Sequence, residues 1–170
     1  MIVGIVGSDD RAQAIGRLIK SGGHTVTFGD PCSKEDAARA AAALQTKGEL
    51  PYSQAAKAEV MVLAVPEKHV DPAITAVGSG SDAVFIDAVE DEHNIGSRSG
   101  AECLAHKLDT HRVVRALINI PQSGSNIEIC GDDPNAKIVV ERLLESCGCR
   151  ARDLGPLATA RELEAPAVAA

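Results

Sequence analysis

The feature that most constrains the fold is an alternation of strand-like and helix-like segments that starts at the N-terminus. Ile2 to Val6 is a short apolar run, and after a turn the apolar positions from Arg11 to Ile19 recur at helical spacing. Comparable pairs follow along the chain. Such alternation is typical of a parallel sheet with helices packed on both faces, so the sequence predicts an α/β fold.

The same patterns predict the remaining elements. Further strands are expected at Thr25–Phe28, Glu59–Val65, Ala83–Asp87, Arg112–Ile120, Asn126–Cys130 and Arg150–Leu154. Further helices are expected at Lys34–Thr46, Tyr52–Ala58, Ser99–Leu108, Pro134–Cys147 and Ala158–Leu163. The strand Glu59–Val65 is the most hydrophobic, which favours the centre of the sheet. We expect one domain at 1–157, followed by a short C-terminal helix and tail at 158–170.

Composition excludes several classes of function. The chain has 170 residues, of which 45% are hydrophobic and 24% charged, as in a soluble globular domain. A net charge of −7 opposes nucleic-acid binding. With two Phe, one Tyr and no Trp, the chain also has few aromatic side chains on which nucleobases could stack. No apolar run approaches the ~18 residues of a membrane span, and no basic leader precedes the first strand. We therefore expect a cytoplasmic protein without nucleic-acid or membrane partners.

The metal-binding residue types do not form a recognisable site. The five cysteines have no CxxC spacing and are expected to be reduced, with a regulatory disulfide between Cys147 and Cys149 as an alternative to simple packing at a helix end. His93 stands in an acidic loop with Glu90, Asp91 and Glu92. Neighbours along a loop rarely converge on one ion, so a solvated lid is favoured and no metal is predicted.

The first turn carries the main functional signal. A strand, a glycine-containing turn and a helix form the place where a Rossmann domain binds the pyrophosphate of a dinucleotide. Here the turn reads Gly7-Ser8-Asp9-Asp10-Arg11-Ala12, so Asp9 stands where the fingerprint has its second glycine. A carboxylate ~4 Å from a phosphate costs roughly 4 kcal/mol at an effective dielectric of ~20, or about 1000-fold in affinity.

Two interpretations of this turn remain open. Arg11 relieves the repulsion by reaching the phosphate or Asp9, with help from the helix amides, or the domain no longer binds nucleotide and Asp9 or Asp10 only caps the helix. Two interpretations are also open for Asp30, which stands roughly twenty residues further on. Asp30 binds the ribose hydroxyls of NAD, or it only stabilises the turn Gly29-Asp30-Pro31.

Motifs in a fixed order carry a family resemblance. Besides the first turn they are Gly23-His24-Thr25-Val26, Val62-Leu63-Ala64-Val65-Pro66, Ser99 to Ala105, Val113 to Leu117, Ile129 to Asp133, and Asp153 to Glu164. On these motifs the chain resembles the NADP-dependent coenzyme F420 oxidoreductases and is similar to the reductase domain of the STEAP metalloreductases. The resemblance implies a Rossmann-type fold that binds NADP or NAD, with F420 or a flavin as the acceptor.

The resemblance also assigns roles to residues. It implies that Gly7 to Ala12 hold the pyrophosphate and that Asp30 to Lys34 face the adenosine ribose. Val65, Pro66 and His69 would line the ribose and nicotinamide end, and Ala88 would lie near the nicotinamide ring. For His69 a solvated loop position is the alternative. In such enzymes hydride passes directly between the two rings, so no catalytic acid or base is assigned.

Some positions depart from the family pattern. Asp30-Pro31 replaces Ser or Thr followed by Arg at the 2′-phosphate, so NAD competes with NADP; Ile118 replaces an Asn or His beside the nicotinamide. The F420 enzymes continue into helices that help to form the acceptor site and a dimer, so parts of that site are expected to be missing here, and a homodimer stays open. We expect an NAD(P)-dependent oxidoreductase, with a non-catalytic nucleotide sensor or interaction module as the alternative.

Overall fold

One mixed sheet flanked by helices organises the protein. The computed structural model describes residues 1–48, 58–78, 81–89, 98–119 and 122–164. Within them the strands are β1 (Ile2–Val6), β2 (Thr25–Gly29), β3 (Lys47–Gly48), β4 (Val60–Leu63), β5 (Val84–Asp87), β6 (Val113–Arg115), β7 (Asn126–Gly131) and β8 (Arg150–Asp153). The helices are α1 (Asp10–Ser21), α2 (Lys34–Leu44), α3 (Val70–Val77), α4 (Gly100–Leu108), α5 (Pro134–Ser146) and α6 (Ala160–Glu164). Short 3₁₀ turns cover Glu67–His69 and Leu157–Thr159.

The strand order creates a crevice at one edge of the sheet. The order is β3-β2-β1-β4-β5-β6-β7-β8, and β1 to β6 are mutually parallel. The chain proceeds outward from β1 through β2 to β3, and then returns to the other side of β1 with β4. In open α/β sheets ligands bind outside the carboxyl ends of the strands at such a reversal, here between β1 and β4. The predicted Rossmann-type fold is confirmed.

The last two strands differ from the expected parallel arrangement. β7 pairs antiparallel with β6, and β8 pairs parallel with β7. The described residues between β6 and β7 contain no helix, so the chain turns back directly instead of crossing over. The first residues of β7 consequently lie at the same edge as the carboxyl ends of β1 to β6.

Helices cover both faces, as the sequence predicts. α1, α2 and α5 pack on one face, with Ile15, Leu44 and Val140 in the core. α3, α4 and α6 pack on the other, with Leu104 and Ala160 in a second core. All four residues of β4 are buried, in agreement with the predicted central strand. Because strand side chains alternate, Val62 joins the first core whereas Met61 and Leu63 join the second.

Helix starts follow the predicted capping residues. Ser33, Ser99 and Asp133 are the N-caps of α2, α4 and α5, each accepting a hydrogen bond from an amide in the first turn. The strand predicted at Arg112–Ile120 is shorter, because only Val113–Arg115 pair in the sheet. The predicted helix Tyr52–Ala58 and the acidic loop with His93 fall on residues outside the described ranges, apart from Ala58.

The C-terminal helix α6 is anchored on α4. The Glu164 carboxylate accepts hydrogen bonds from the backbone N–H groups of Gly100, at 2.8 Å, and Ala101, at 3.3 Å. Arg161 donates to both carboxylate oxygens of Glu102, at 2.9 and 2.8 Å. Glu102 also completes the capping box of α4 with Ser99. These contacts, together with buried Ala160, fix α6 against α4.

Replacing Gly7 by Ala should destabilise the protein by about 2 kcal/mol or more. Gly7 has φ +126°, and an added Cβ would lie 2.0 Å from the Ala64 carbonyl oxygen, so backbone would have to move. Gly23→Ala is the matched control, since its φ is +82° but no atom lies within 4 Å of the added Cβ. The control should lose only about 1–2 kcal/mol. Urea unfolding measures both losses, and equal losses would contradict the close approach.

Candidate functional site

A cleft of about 390 Å³ opens at the carboxyl ends of β1, β2 and β4. We call it the switch-point cleft. It is lined by Gly7, Ser8, Asp9, Gln13, Asp30, Asp36, Arg39, Ala64, Val65, Pro66 and His69. Its position is the crevice that the strand order defines, and its volume lies within the usual range of small-molecule sites.

The cleft unites many of the candidate residues. Residues from the β1 turn, the β2 turn and the segment after β4 meet there, although they are far apart in sequence: Gly7, Ser8, Asp9, Asp30, Val65, Pro66 and His69. Asp10 is exposed on the first turn of α1, and Arg11 and Ala12 are buried beneath the turn. Ala88 is buried after β5. These four do not line the cleft.

Sequence reasoning missed two charged residues of the cleft. Asp36 and Arg39 lie three residues apart in α2 and both line the cleft. The available signal was the Ser33 cap, which places the first turns of α2 directly after Asp30. Residues three apart share one face of a helix, so the pair could have been assigned to the same side.

Asp9 is the N-cap of α1. Its Oδ1 accepts a hydrogen bond from the Ala12 N–H at 2.7 Å, and its carbonyl oxygen accepts from the Gln13 N–H at 2.9 Å. The carboxylate thus occupies the end of α1, where free amides and the helix dipole favour an anion. Asp9 is exposed, so water screens part of its charge. The capping function proposed from the sequence is present in the structure.

Arg11 connects the turn after β1 to the segment that follows β6. Its Nη1 donates to the carbonyl oxygen of Ile118 at 3.0 Å, and the residue is only 6% exposed. The guanidinium therefore contacts the connection that follows β6. Arg11 consequently links the first turn to the β6–β7 connection through this hydrogen bond.

Asp30 holds two turns together. Its Oδ1 accepts from the N–H groups of Cys32, at 2.8 Å, and Ser33, at 3.1 Å, which is the turn chemistry expected of Asp. Its Oδ2 accepts from the Ser8 hydroxyl at 2.6 Å. Since a carboxylate has about four acceptor positions, Asp30 retains capacity for a further donor such as a ribose hydroxyl. Asp30 and Ser8 together offer acceptors at the wall of the cleft.

These residues fit a dinucleotide in part. Gly7 lacks the Cβ that would collide with the carbonyl group of Ala64 directly after β4, so the turn packs closely at the carboxyl edge of the sheet. Ser8 and Asp30 match the hydrogen-bonding needs of a ribose. Asp9 is the exception, because its carboxylate lies at the helix end where the pyrophosphate would bind. The cleft therefore offers hydrogen-bond partners to the ribose of a dinucleotide, whereas the negative charge of Asp9 opposes its pyrophosphate.

A second cleft, of about 580 Å³, lies at the same edge beyond β6. Its lining comprises Leu117, Ile118, Asn119, Ser125, Asn126, Ile127, Glu128, Arg152 and Leu163. Glu128 and Arg152 form an exposed ion pair with 3.3 Å between Oε1 and Nη1. Leu117 has φ +60°, a strained conformation for a branched side chain. The bond from Arg11 to Ile118 joins the wall of this cleft to the turn after β1.

A buried ion pair supports the edge between the two clefts. Asp87 ends β5 and Arg115 ends β6, with 3.0 Å between Oδ2 and Nη1 and side-chain exposures of 0% and 2%.

Burial raises the pKa of the nearby Glu164 carboxyl, although hydrogen bonds from Gly100 and the charge of Arg115 partly offset this. Burial also raises the pKa of the Cys130 thiol to about 12, so it stays uncharged at neutral pH.

Thiols and membrane or metal features add no further site. All five cysteines are free thiols: Cys32 is exposed, Cys103 is half-buried, and Cys130, Cys147 and Cys149 are buried. Within the described ranges, no group of three or more His, Cys, Asp or Glu is arranged to hold a metal ion. None of the helices described is both long and apolar enough to cross a bilayer.

Asp87→Asn should lower the free energy of unfolding by about 3–5 kcal/mol, because it removes the buried carboxylate charge that pairs with Arg115 at 3.0 Å. Lys107→Gln is the matched control, as it removes an ion pair with Asp71 whose side chains are 45% and 76% exposed. The control should lose less than about 1 kcal/mol. Chemical denaturation of both variants tests this, and a small loss in Asp87→Asn would show that the pair does not support this edge.

Comparison with known proteins places the chain in a family. Residues 2–91, just over half of the chain, match the family described as NADP oxidoreductase, coenzyme F420-dependent. The chain belongs to this family. The matched segment runs from β1 to the end of β5 and contains every residue that lines the switch-point cleft. The resemblance noted in the sequence is confirmed.

Individual proteins are similar to the chain in sequence or in fold. The metalloreductase STEAP3 of Rattus norvegicus is 28% identical over 177 residues, which cover 96% of this chain. The chain spans only 36% of that relative. Among solved structures, a candidate F420-dependent NADP reductase from Arthrobacter sp. FB24 is similar at a TM-score of 0.79 and 21% identity, covering 95% of this chain and 88% of that one.

A hypothetical protein from Sinorhizobium meliloti has a TM-score of 0.80 at 17% identity, covering 94% of this chain and 87% of that one. At this level of identity the likeness shows the fold alone. An α/β sheet of nearly the same extent therefore occurs in both solved structures.

Proposed function

We propose that this protein is an NAD(P)-dependent oxidoreductase that transfers hydride between a nicotinamide dinucleotide and a small redox acceptor. The observation that carries the proposal is the convergence of the β1 turn, Asp30 and His69 on one cleft at the strand-order reversal. The family described for residues 2–91 supports NADP as the dinucleotide. Asp30 favours NAD, because its carboxylate suits ribose hydroxyls better than a 2′-phosphate.

Each wall of the cleft would hold one part of the dinucleotide. The turn from Gly7 to Ala12 would hold the pyrophosphate, with Arg11 as a nearby positive charge. Ser8 and Asp30 would accept hydrogen bonds from the adenosine ribose. Val65, Pro66 and His69 would line the path to the nicotinamide, and Ala88, buried after β5, would back that end.

The second cleft is our proposed acceptor site. It adjoins the β6–β7 connection at the same sheet edge, and Leu117, Ile118 and Leu163 give it an apolar wall suited to a flat ring. A deazaflavin such as F420, or a flavin, has the required chemistry. When bound, the nicotinamide supplies the hydride itself. The protein would orient the two rings and exclude water, so no side chain is needed as a catalytic acid or base.

A non-catalytic nucleotide sensor is the second candidate. The observation in its favour is Asp9, whose carboxylate already fills the end of α1. A sensor would bind a dinucleotide without consuming it, whereas a reductase turns it over in the presence of an acceptor.

The experiment is to follow loss of the reduced nicotinamide absorbance with NADPH or NADH and F420, a free flavin or a ferric chelate. Thermal unfolding with each dinucleotide runs in parallel, since a ligand at 100 times its dissociation constant stabilises a protein by about 2.7 kcal/mol. Turnover supports the reductase, and stabilisation without turnover supports the sensor. If millimolar dinucleotide produces no turnover and no stabilisation, both candidate functions are contradicted.

Removing the charge of Asp9 should tighten dinucleotide binding by roughly tenfold to 1000-fold, with the lower end favoured by the exposure of the side chain. Asp9→Asn keeps a good capping residue, so it separates charge from helix stability; Asp9→Gly restores the fingerprint. Asp10→Asn is the matched control, because Asp10 is exposed on the same turn but does not line the cleft. Calorimetric titration gives the constants, and unchanged affinity in Asp9→Asn would refute the repulsion.

Asp30→Ser should shift the preference towards NADPH, because it removes a negative charge from the site of the 2′-phosphate. The ratio of the NADPH and NADH dissociation constants should change by about tenfold or more. Ser8→Ala removes the hydrogen bond to Asp30 but no charge, so it should leave that ratio nearly constant. If the ratio stays constant in Asp30→Ser, Asp30 acts only in its turn.

A further inference from the structure

Leu117 has a backbone conformation that its side chain disfavours. Its φ of +60° lies in the left-handed region, where a side chain crowds the backbone of its own residue. The residue is 2% exposed and belongs to the first core, so packing fixes the position of its side chain. A residue strained in this way persists only where the surrounding structure holds it. The contacts on either side of Leu117 supply that hold.

Two hydrogen bonds flank Leu117. Before it, the Ala116 N–H donates to the Asp87 carbonyl oxygen at 3.0 Å, which continues the pairing of β6 with β5. After it, the Ile118 carbonyl oxygen accepts from Nη1 of Arg11 at 3.0 Å. The first bond belongs to the sheet, whereas the second comes from a buried side chain of α1. A hydrogen bond from a charged donor is stronger than one between neutral groups, so Arg11 is well suited to hold the strained segment.

Arg11 stands between the residues that line the two clefts. It follows directly after the part of the β1 turn that lines the switch-point cleft, and Asp9 of that turn caps the helix that carries Arg11. Its acceptor, Ile118, lines the second cleft together with Leu117. Because the turn and the first residues of α1 are joined by the cap, a ligand that orders the turn also orders the Arg11 side chain. The wall of the second cleft is held by that same side chain.

We propose that Arg11 is a positioning residue that couples the two clefts through Ile118. By holding the Ile118 carbonyl it keeps Leu117 in the left-handed conformation and fixes the wall of the second cleft to the turn after β1. Leu117 is the element with two arrangements, strained when Arg11 holds its neighbour and relaxed when it does not. The proposal rests on the proposed function of the clefts as dinucleotide and acceptor sites. A ligand in either cleft then strengthens binding in the other by one common factor.

Hydrogen–deuterium exchange of the unliganded protein tests whether Arg11 holds the wall. Arg11→Met removes the donors and keeps an apolar stem, whereas Arg11→Lys keeps a charged donor. Exchange in the segment 113–119 should become about tenfold faster or more in Arg11→Met, since a hydrogen bond to a charged group is lost. Arg11→Lys should restore slow exchange. Arg17→Met is the matched control and should change nothing, because Arg17 is exposed on the same helix and lines neither cleft.

Two results of the exchange measurement would overturn the proposal. The first is equal exchange of the segment 113–119 in Arg11→Met and in the wild type. The second is an acceleration in Arg11→Met that is spread evenly over the chain, β8 included, because it would show a general loss of stability rather than release of one segment.

Calorimetry with two separate ligands tests the coupling itself. ADP-ribose, or its 2′-phosphate analogue, carries the pyrophosphate but no nicotinamide, so it cannot stack on a flavin in the second cleft. The flavin FMN is titrated into the protein alone and into the protein saturated with ADP-ribose. ADP-ribose should tighten FMN binding by about fivefold or more in the wild type, Arg11→Lys and Arg17→Met, and by less than about twofold in Arg11→Met. Saturation removes any effect of Arg11 on the affinity for the dinucleotide alone.

The outcomes separate the coupling from the proposed function. If Arg11→Met retains the factor of the wild type, or if ADP-ribose leaves FMN binding unchanged in the wild type, the coupling is overturned and the proposed function stands. Binding of only one of the two ligands would also overturn the coupling. If the wild type binds neither ligand, the proposed function fails and the coupling fails with it.

Discussion

The close approach of Gly7 to the backbone of Ala64, directly after β4, is the constraint on which the site depends. The turn after β1 packs against the carbonyl of Ala64, in a space that has no room for a side chain. This contact sets α1 at its angle to the sheet and brings its N-terminus beside the segment Val65 to His69. The amide of Gly7 also donates to the carbonyl oxygen of Gly29 at 2.8 Å, which brings the β2 turn to the same place. Three segments distant in sequence thereby form one cleft.

Carboxylates at this edge of the sheet serve two different purposes. Asp87 is buried, and Arg115 neutralises it, so the pair supports the strand ends from within. Asp9 and Asp30 instead use their oxygens to hold turn and helix amides while part of each side chain faces the cleft. The local stability that these caps provide comes with negative charge at a site suited to an anionic ligand. The arginines near the cleft, Arg11 and Arg39, are what we expect to offset that charge.

Local signals in the sequence predicted much of the fold. The capping residues Ser33, Ser99 and Asp133 each satisfy amides of their own helix, so neighbouring residues suffice to identify them. The antiparallel turn into β7 was missed, because it depends on how residues after Arg115 leave the sheet rather than on any periodicity. Long-range contacts were missed for the same reason.

In the candidate site, too, the sequence predicted what depends on local position and missed what depends on long-range contacts. Gly7, Asp30 and His69 were assigned because they stand at strand ends, and those ends meet in any sheet of this order. The pairing of Asp87 with Arg115, and the direction of Arg11 towards Ile118, required the positions of β5 to β7 relative to one another. A single sequence gives the strands but not which of their end residues touch. Arg39 was missed, although helical spacing could have placed it with Asp36 on one face of α2.

Hydrogen–deuterium exchange with and without NADPH and NADH is the most direct test of the central claim, that the switch-point cleft binds a nicotinamide dinucleotide. It locates the ligand on the unaltered protein. The account predicts slower exchange in the turn from Gly7 to Ala12, in the segment from Asp30 to Arg39 and in the segment from Val65 to His69, with β8 unaffected. Protection confined to other parts of the chain, or no protection with either dinucleotide at saturating concentration, would contradict it.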